Sequence, residues 1–170
     1  MNTNQLNDIV QRDRIARQQF QGVYPSDRLP EKISRYPSAF IANVDPSSKP
    51  GSHWVAFYFT EAPVYYSRNF KTFLELNSKE WICNQKQLQG LNSNVCGQYC
   101  FYYVVNRCRG NSLSSIIQPF VKNKKINDAF VDEFVNKYFP FLHVESNIVK
   151  PRQVSFPNKR EVKQKKKDTE

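Results

Sequence analysis

Between residues 89 and 107 a polar, turn-rich segment runs directly into a long apolar one. Gly90, Asn92, Ser93 and Asn94 favour a loop. From Cys96 the sequence Cys-Gly-Gln-Tyr-Cys-Phe-Tyr-Tyr-Val-Val is apolar enough for a buried helix. We therefore predict a loop that ends at the N-terminus of a buried helix, with Cys96 at the boundary.

The position of Cys96 allows two roles. Backbone N–H groups at a helix N-terminus have no intrahelical partner, and together with the helix dipole they favour a thiolate, which is the nucleophilic form of cysteine. The alternative is a small buried hydrophobic residue, which is what most free cysteines are. Cys100 lies one helical turn later, where either redox coupling to Cys96 or packing is conceivable, and the apolar face of the helix favours packing.

Size and composition narrow the class of protein. The chain has 170 residues, of which 39% are hydrophobic, and this suits one folded domain. Its four cysteines lack paired Cys-x-x-Cys spacing and it has two histidines, so we expect free thiols and no metal site. The N-terminus has no apolar signal region and no apolar run approaches the length of a membrane span. We expect a soluble intracellular protein.

The net charge of +10 is unevenly distributed. Residues 150–170 contain eight Lys or Arg and three acidic residues, a net charge of +5. Such a balance suits a polyanionic partner such as DNA, RNA or an acidic peptide, with solubility as the alternative explanation. Apolar periodicity ends near residue 145. We therefore expect a folded domain over 1–145 and a flexible basic tail over 146–170.

The pattern of apolar residues predicts the helices and strands. It favours a helix within 3–20, strands over 38–44 and 53–60, and a hairpin partner that starts at 64–66. Further along, it favours a helix over 70–80, a strand over 81–88, the buried helix over 96–107, and amphipathic helices over 112–121 and 126–138. In the last helix we expect one apolar face, formed by Ile126, Phe130, Phe134, Val135 and Tyr138. This order predicts an α+β domain with a small mixed or antiparallel sheet packed by helices.

A cysteine nucleophile needs a base and donors for the oxyanion. His53 lies between a Pro/Gly/Ser-rich loop and a strand, where a side chain can be both rigid and exposed, whereas His143 lies at the end of the predicted domain. Gln89 precedes Cys96 by seven residues, and its amide can donate to an oxyanion beside the backbone N–H of Cys96. Considered separately, His53 is equally well explained as a strand-end residue and Gln89 as one of several loop glutamines.

The combination of His53, Gln89 and Cys96 becomes specific because these residues lie in two longer sequence motifs, with the histidine motif first. They are Gly-Ser-His-Trp-Val-Ala-Phe at 51–57 and Gln-Gly-Leu-Asn-Ser-Asn-Val-Cys-Gly at 89–97. In this respect the chain resembles the adenovirus-type cysteine proteases (adenain), relatives of the SUMO-specific proteases. That family has a Trp directly after its catalytic His and the same step from its oxyanion Gln to Cys-Gly, whereas papain-like enzymes place the cysteine first. Weaker similarity at 20–24 and 38–44 extends the resemblance to about residues 5–140.

The resemblance implies an adenain-like fold with the nucleophile at the N-terminus of the central helix. It implies that Cys96 is the nucleophile, His53 the general base and Gln89 the oxyanion donor. Trp54 would line the substrate cleft, with core packing as its alternative role. The implied reaction is peptide hydrolysis through an acyl-enzyme, on substrates with small residues, often Gly, before the scissile bond.

The third member of the catalytic triad departs from the family pattern. The family has an Asp or Glu on the strand after the His strand, and here that segment reads Val-Tyr-Tyr-Ser-Arg-Asn-Phe at 64–70. Ser67 occupies the acidic position by count, while Asn69 can accept the imidazole N–H as an amide does in papain-like sites. We expect that Ser67 or Asn69 orients His53, or that neither does and the enzyme is weak or inactive.

Three functions follow from the resemblance. The first is a monomeric endopeptidase of a virus or virus-derived element that cleaves capsid and core precursor proteins in the host nucleus or virion. It would require no cofactor and no membrane, with DNA as an activating polyanion and partner. The family binds a peptide cofactor through a cysteine before the Gln; Cys83 is near that point, but its spacing differs, and the role is not transferred. The second function is a SUMO- or ubiquitin-like-protein isopeptidase, and the third a catalytically weak or inactive DNA- or capsid-binding relative.

Overall fold

The computed structural model describes residues 1–30, 33–60 and 82–138 of the chain. Helices and strands both occur in this part, so the predicted α+β class is confirmed. In chain order the elements are α1 (Thr3–Arg12), α2 (Ala16–Gln19), β1 (Phe20–Tyr24), β2 (Ser38–Asn43), β3 (Trp54–Phe59), α3 (Cys96–Cys108), α4 (Leu113–Ile117) and α5 (Lys124–Tyr138).

The three strands form a mixed sheet in the order β1-β2-β3. β1 runs parallel to β2, and β2 runs antiparallel to β3 with Asn43 opposite Trp54. All six residues of β2 are buried, as expected for a strand with a neighbour on each edge. The predicted strands over 38–44 and 53–60 are confirmed with slightly shorter bounds, and the sheet is mixed.

Side chains of β3 pack on both faces of the sheet, because successive side chains of a strand point to opposite sides. The residues that join the helical cluster are Trp54, Ala56 and Tyr58. On the other face Phe57 stacks on Phe40 with ring centroids 4.7 Å apart. The first residue of β3 is therefore held on the helical side, directly after His53.

α3 is the buried central helix that the apolar run predicted. Phe101, Val104 and Val105 are completely buried. They pack in one cluster with three completely buried residues of α1, which are Leu6, Ile9 and Val10. Burial of one such aliphatic side chain stabilises the fold by about 1.5–3 kcal/mol, so this interface holds α1 and α3 together.

The N-terminal region differs from the single helix expected within 3–20. α1 ends at Arg12, α2 begins at Ala16, and residues 20–24 form β1. Asp13 causes the interruption, because its carboxylate accepts the backbone N–H groups of Ile15 and Ala16 at 3.1 and 2.8 Å. The same carboxylate forms an ion pair with Arg109 at 2.6 Å, which ties this corner to the end of α3.

The strand expected over 81–88 is wrong for the described residues 82–88, which form no strand. Asn84 explains the difference, because its side chain accepts the N–H of Lys86 at 3.0 Å and donates to the Lys86 carbonyl at 2.7 Å. An Asn side chain that bonds the nearby backbone in this way competes with strand pairing. Trp81 lies outside the described residues.

The two C-terminal amphipathic helices are confirmed with different bounds, as α4 and α5, but the predicted apolar face of α5 is wrong in part. Ile126 is 57% exposed, whereas Asn127 is only 2% exposed, and Val131 and Val135 are also buried. The buried face is rotated because Asn127 bonds both the N–H and the carbonyl of Val121, each at 2.9 Å. These bonds allow a polar side chain to occupy a core position.

Several predictions fall outside the described residues. These are the hairpin partner at 64–66, the helix over 70–80 and the basic tail over 146–170, as well as the end of the domain predicted over 1–145.

The contribution of the α1–α3 interface to the free energy of unfolding can be measured by replacing leucine with alanine at a buried site and at an exposed one. Leu6→Ala should lower the free energy of unfolding by about 2–5 kcal/mol, because it leaves a cavity at a completely buried position. Leu91→Ala, at a position that is 90% exposed, should change it by less than about 0.5 kcal/mol. Urea denaturation measures both values, and equal losses would contradict the described packing.

Candidate active site

Cys96 is the first residue of α3. The first backbone hydrogen bond of the helix runs from the Tyr99 N–H to the Val95 carbonyl at 3.1 Å. The N–H groups of Cys96, Gly97 and Gln98 therefore precede the intrahelical ladder, as at any helix N-terminus. Cys96 is half-buried and its thiol is free, so a sulfur atom that a ligand can reach lies beside backbone donors.

Gly97 allows α1 to approach the first turn of α3. A Cβ at this position would lie 3.0 Å from Met1 Cβ and 3.4 Å from Leu6 Cδ2. A larger residue here would require Met1 or Leu6 to move by a few tenths of an ångström. The start of α1 is itself fixed by a capping box, in which the side chains of Asn2 and Gln5 each accept the backbone N–H of the other residue at 2.9 and 2.8 Å.

His53 is exposed and immediately precedes β3. Its carbonyl accepts the N–H of Val44 at 3.0 Å, so the sheet pairing extends to the His53 backbone. The loop before it turns at Gly51, which has a φ of +84°, and a Cβ there would collide with the side-chain amide of Asn43. Asn43 is buried and accepts the Asp45 N–H at 2.9 Å, so the loop that leads to His53 closes on a fixed side chain.

Met1 connects the histidine strand to the cysteine helix. The indole N–H of Trp54 donates to the Met1 carbonyl at 3.1 Å, and Met1 also lies over Gly97. The residues that directly follow His53 and Cys96 thus contact the same residue. Trp54 is half-buried and packs against the core cluster, as the alternative role considered for it requires.

A cavity of about 1340 Å³ includes several of the predicted residues in its lining. His53, Trp54, Gln89 and Cys96 all line it. Its lining thus contains a thiol, an imidazole and an amide, the kinds of side chain that can act as nucleophile, base and oxyanion donor in acyl transfer.

The loop that carries Gln89 folds back on itself. The side-chain nitrogen of Gln89 donates to the Ser93 carbonyl at 2.8 Å, and the Ser93 N–H donates to the Gly90 carbonyl at 3.2 Å. The first bond uses one of the two hydrogens on the amide nitrogen. Gln89 is half-buried, so its amide is held within the loop while one donor remains for a ligand.

Three residues that the sequence reasoning missed anchor this loop. Asn127 donates to the Leu88 carbonyl at 3.1 Å, and the Tyr99 hydroxyl, which shares its single hydrogen with Asp128, lies 3.1 Å from the same carbonyl. Asp128 accepts the Gly90 N–H at 3.2 and 3.3 Å to its two oxygens, and the Tyr99 hydroxyl at 2.9 Å. The sequence feature that could have pointed to Asn127 and Asp128 is a polar Asn-Asp pair inside an otherwise amphipathic helix.

The other sulfur atoms of α3 have a different environment. Cys100 packs in the core cluster with only 5% of its surface exposed, so its predicted packing is confirmed. Burial, and secondarily the neighbouring Cys96, raise the pKa of the Cys100 thiol, and burial raises the pKa of Cys108 to about 12. Both thiols therefore stay protonated near neutral pH and are poor nucleophiles.

Ser67 and Asn69, the two candidates for orienting His53, lie outside the described residues. Within the described part of the chain, no three His, Cys, Asp or Glu side chains converge as a metal site would require. Nor does any helix there combine the length and apolar character needed to cross a membrane.

Comparison with known proteins adds no family assignment. No protein-family model matches the chain, and no curated protein matches it.

Whether Asn43 restricts the loop before His53 can be tested by comparing substitutions at two glycines that have nearly equal φ. Gly51→Ala and Gly110→Ala both place a side chain at positive φ, +84° and +85°, but Gly110 has no atom within 4 Å of a new Cβ. Gly51→Ala should therefore lower the free energy of unfolding by about 1–3 kcal/mol more than Gly110→Ala, because it must also displace Asn43. Chemical denaturation measures the difference, and equal losses would show that Asn43 does not restrict the loop.

Proposed function

We propose that the chain is a cysteine endopeptidase in which Cys96 is the nucleophile, His53 the general base and Gln89 the oxyanion donor. One observation carries this assignment: the three side chains line a single cavity although they come from separate parts of the sequence. The shared contact of Trp54 and Gly97 with Met1 supports it, because this contact brings the backbones beside His53 and Cys96 together.

The reaction would begin with transfer of the Cys96 thiol proton to His53. The sulfur then attacks the peptide carbonyl carbon, and the carbonyl oxygen becomes an oxyanion. Collapse of this intermediate breaks the C–N bond, while the His53 imidazolium gives its proton to the leaving amine. His53 then takes a proton from a water molecule, whose oxygen attacks the thioester carbon. The C–S bond breaks, His53 returns the proton to the sulfur, and the acid product and the free thiol are released.

The oxyanion would be stabilised by two kinds of donor. The backbone N–H of Cys96 precedes the helical hydrogen-bond ladder, and the Gln89 amide has one hydrogen beyond the bond to Ser93. A preorganised donor of this kind contributes about 2.7–4 kcal/mol to transition-state stabilisation. Two donors from one fixed loop and helix therefore favour acyl transfer at this cavity.

We further propose substrates with Gly or another small residue before the scissile bond, on the basis of the motif resemblance. Precursor proteins of a virus or virus-derived element are the corresponding natural substrates. The net charge of +10 suits DNA as an activating polyanion. Ser67 or Asn69 would orient His53, and the absence of an acidic residue at that position predicts a slower enzyme than one with a charged third member.

Thiol alkylation tests the activation of Cys96 without any knowledge of the substrate. Cys83 is exposed and Cys96 is only half-buried, so simple access favours modification of Cys83. If His53 assists the thiol, iodoacetamide at neutral pH should modify Cys96 faster than Cys83, and His53→Ala should remove this advantage. Peptide mass spectrometry after timed quenching measures both rates. Slower modification of Cys96, unaffected by His53→Ala, would support a non-catalytic relative.

Hydrolysis of a short Gly-containing peptide tests the reaction itself. Cys96→Ala and His53→Ala should abolish turnover, with losses of up to about 10⁶-fold as for other nucleophile–base pairs. Gln89→Ala should lower kcat about 10²- to 10³-fold, because one oxyanion donor is lost. Cys83→Ser, which removes a thiol outside the proposed pair, should retain activity.

A ubiquitin-like probe ending in diglycine should be run beside the peptide. Cleavage of the probe alone would favour the isopeptidase alternative, and cleavage of neither substrate would refute the endopeptidase.

A further inference from the structure

We propose that Asp128, together with Tyr99, is a positioning residue that holds the Gln89 loop in the geometry needed for oxyanion stabilisation. We call the carboxylate of Asp128, the hydroxyl of Tyr99 and the amide of Asn127 the loop clamp. This positioning role rests on the proposed function, because it requires Gln89 to be the oxyanion donor.

The loop clamp holds the peptide groups on both sides of Gln89. On one side, Asn127 donates to the Leu88 carbonyl at 3.1 Å, and the Tyr99 hydroxyl lies 3.1 Å from the same carbonyl and shares its hydrogen between this oxygen and Asp128. On the other side, the Gly90 N–H donates to both oxygens of Asp128 at 3.2 and 3.3 Å. The backbone of Gln89 is therefore fixed at both of its peptide bonds.

Asp128 suits this position because a carboxylate can accept several hydrogen bonds at once. It receives the Gly90 N–H and the Tyr99 hydroxyl together, the latter at 2.9 Å. Burial and this bond to Asp128 raise the pKa of Tyr99, so the phenol keeps its proton and stays a donor at neutral pH. A Cβ at Gly90 would lie 2.9 Å from Asp128 Oδ2, so a larger residue there would displace the carboxylate from its present position.

The loop clamp also connects the loop to the helix that carries the nucleophile. Tyr99 lies in the first turn of α3, three residues after Cys96, and Asp128 lies near the start of α5. Asn127 is 2% exposed and is itself fixed by two bonds to the Val121 backbone. Cys96 lies on α3, and the Gln89 loop is held by side chains of α3 and α5. The positions of the two residues are thus linked. Misplacement of a catalytic group by about 1 Å can cost about 10²-fold in rate, so loss of the clamp should affect catalysis.

The test compares two aspartates on α5 that lie one helical turn apart. Asp128→Ala should lower kcat for peptide hydrolysis about 10- to 100-fold and change KM by less than about threefold, because the oxyanion donor acts mainly in the transition state. Asp132→Ala is the matched control, since Asp132 accepts from Gln98 at 3.2 Å and, within the described part of the chain, forms no hydrogen bond to the loop. It should leave kcat unchanged. Asp128→Asn, which retains an accepting oxygen, should restore most of the activity.

A double-mutant cycle distinguishes positioning from a general loss of stability. In a Gln89→Ala background, Asp128→Ala should lower kcat by less than about threefold, since the group that it positions is already absent. An equal loss in both backgrounds would overturn the positioning role. If Asp128→Ala does not fold, Tyr99→Phe supplies the same cycle, because it removes the hydroxyl and keeps the ring that packs 5.5 Å from Phe120.

Amide hydrogen exchange of Gly90 separates a failure of the clamp from a failure of the proposed function. The Gly90 N–H should exchange about tenfold or more faster in Asp128→Ala than in the wild-type chain. Unchanged exchange would overturn the clamp even if the enzyme is active. If Gly90 exchanges slowly in the wild-type chain but the chain hydrolyses no peptide, the clamp exists and the proposed function is refuted. The clamp would then have no role in catalysis.

Discussion

The burial of α3 against α1 and β3 is the interaction on which the rest of the structure depends. Completely buried residues of both helices share one cluster, and alternate residues of β3 close it from the sheet side. At the first turn of α3 the contact is close enough that a side chain at Gly97 would press against Met1 and Leu6. Because Cys96 precedes Gly97, the packing that stabilises the domain also determines where the thiol lies.

The candidate site is built from three segments that are positioned in different ways. Cys96 is placed by a helix, His53 by the first pairing of a strand, and Gln89 by hydrogen bonds between a loop and two helices. The backbone positions of Cys96 and His53 are therefore fixed by the core and the sheet. The amide depends on polar contacts, which are individually weak and sensitive to geometry. We consequently regard the loop as the part of the site most easily disturbed by substitution.

Sequence periodicity predicted the elements whose own residues form the core, and it failed where polar side chains intervened. The strands around β2 and β3 and the buried helix α3 were recognisable from apolar runs. The strand expected over 81–88 was wrong for 82–88 because Asn84 bonds the local backbone. The apolar face of α5 was misplaced because Asn127 satisfies its amide on Val121 and occupies a buried position. In each case a side-chain hydrogen bond outweighed the apolar pattern.

By itself, the sequence determined the loop-to-helix junction at Cys96, the strand after His53 and the candidacy of Gln89, because each depends on neighbouring residues and local propensity. Only the tertiary structure decided that these three side chains line one cavity, that Met1 joins the segments beside them, and that Asp128 holds the Gln89 loop. The physical reason is that such contacts form between residues far apart in the chain. A hydrogen bond across 38 residues, such as that from Gly90 to Asp128, leaves no periodic signal in the sequence.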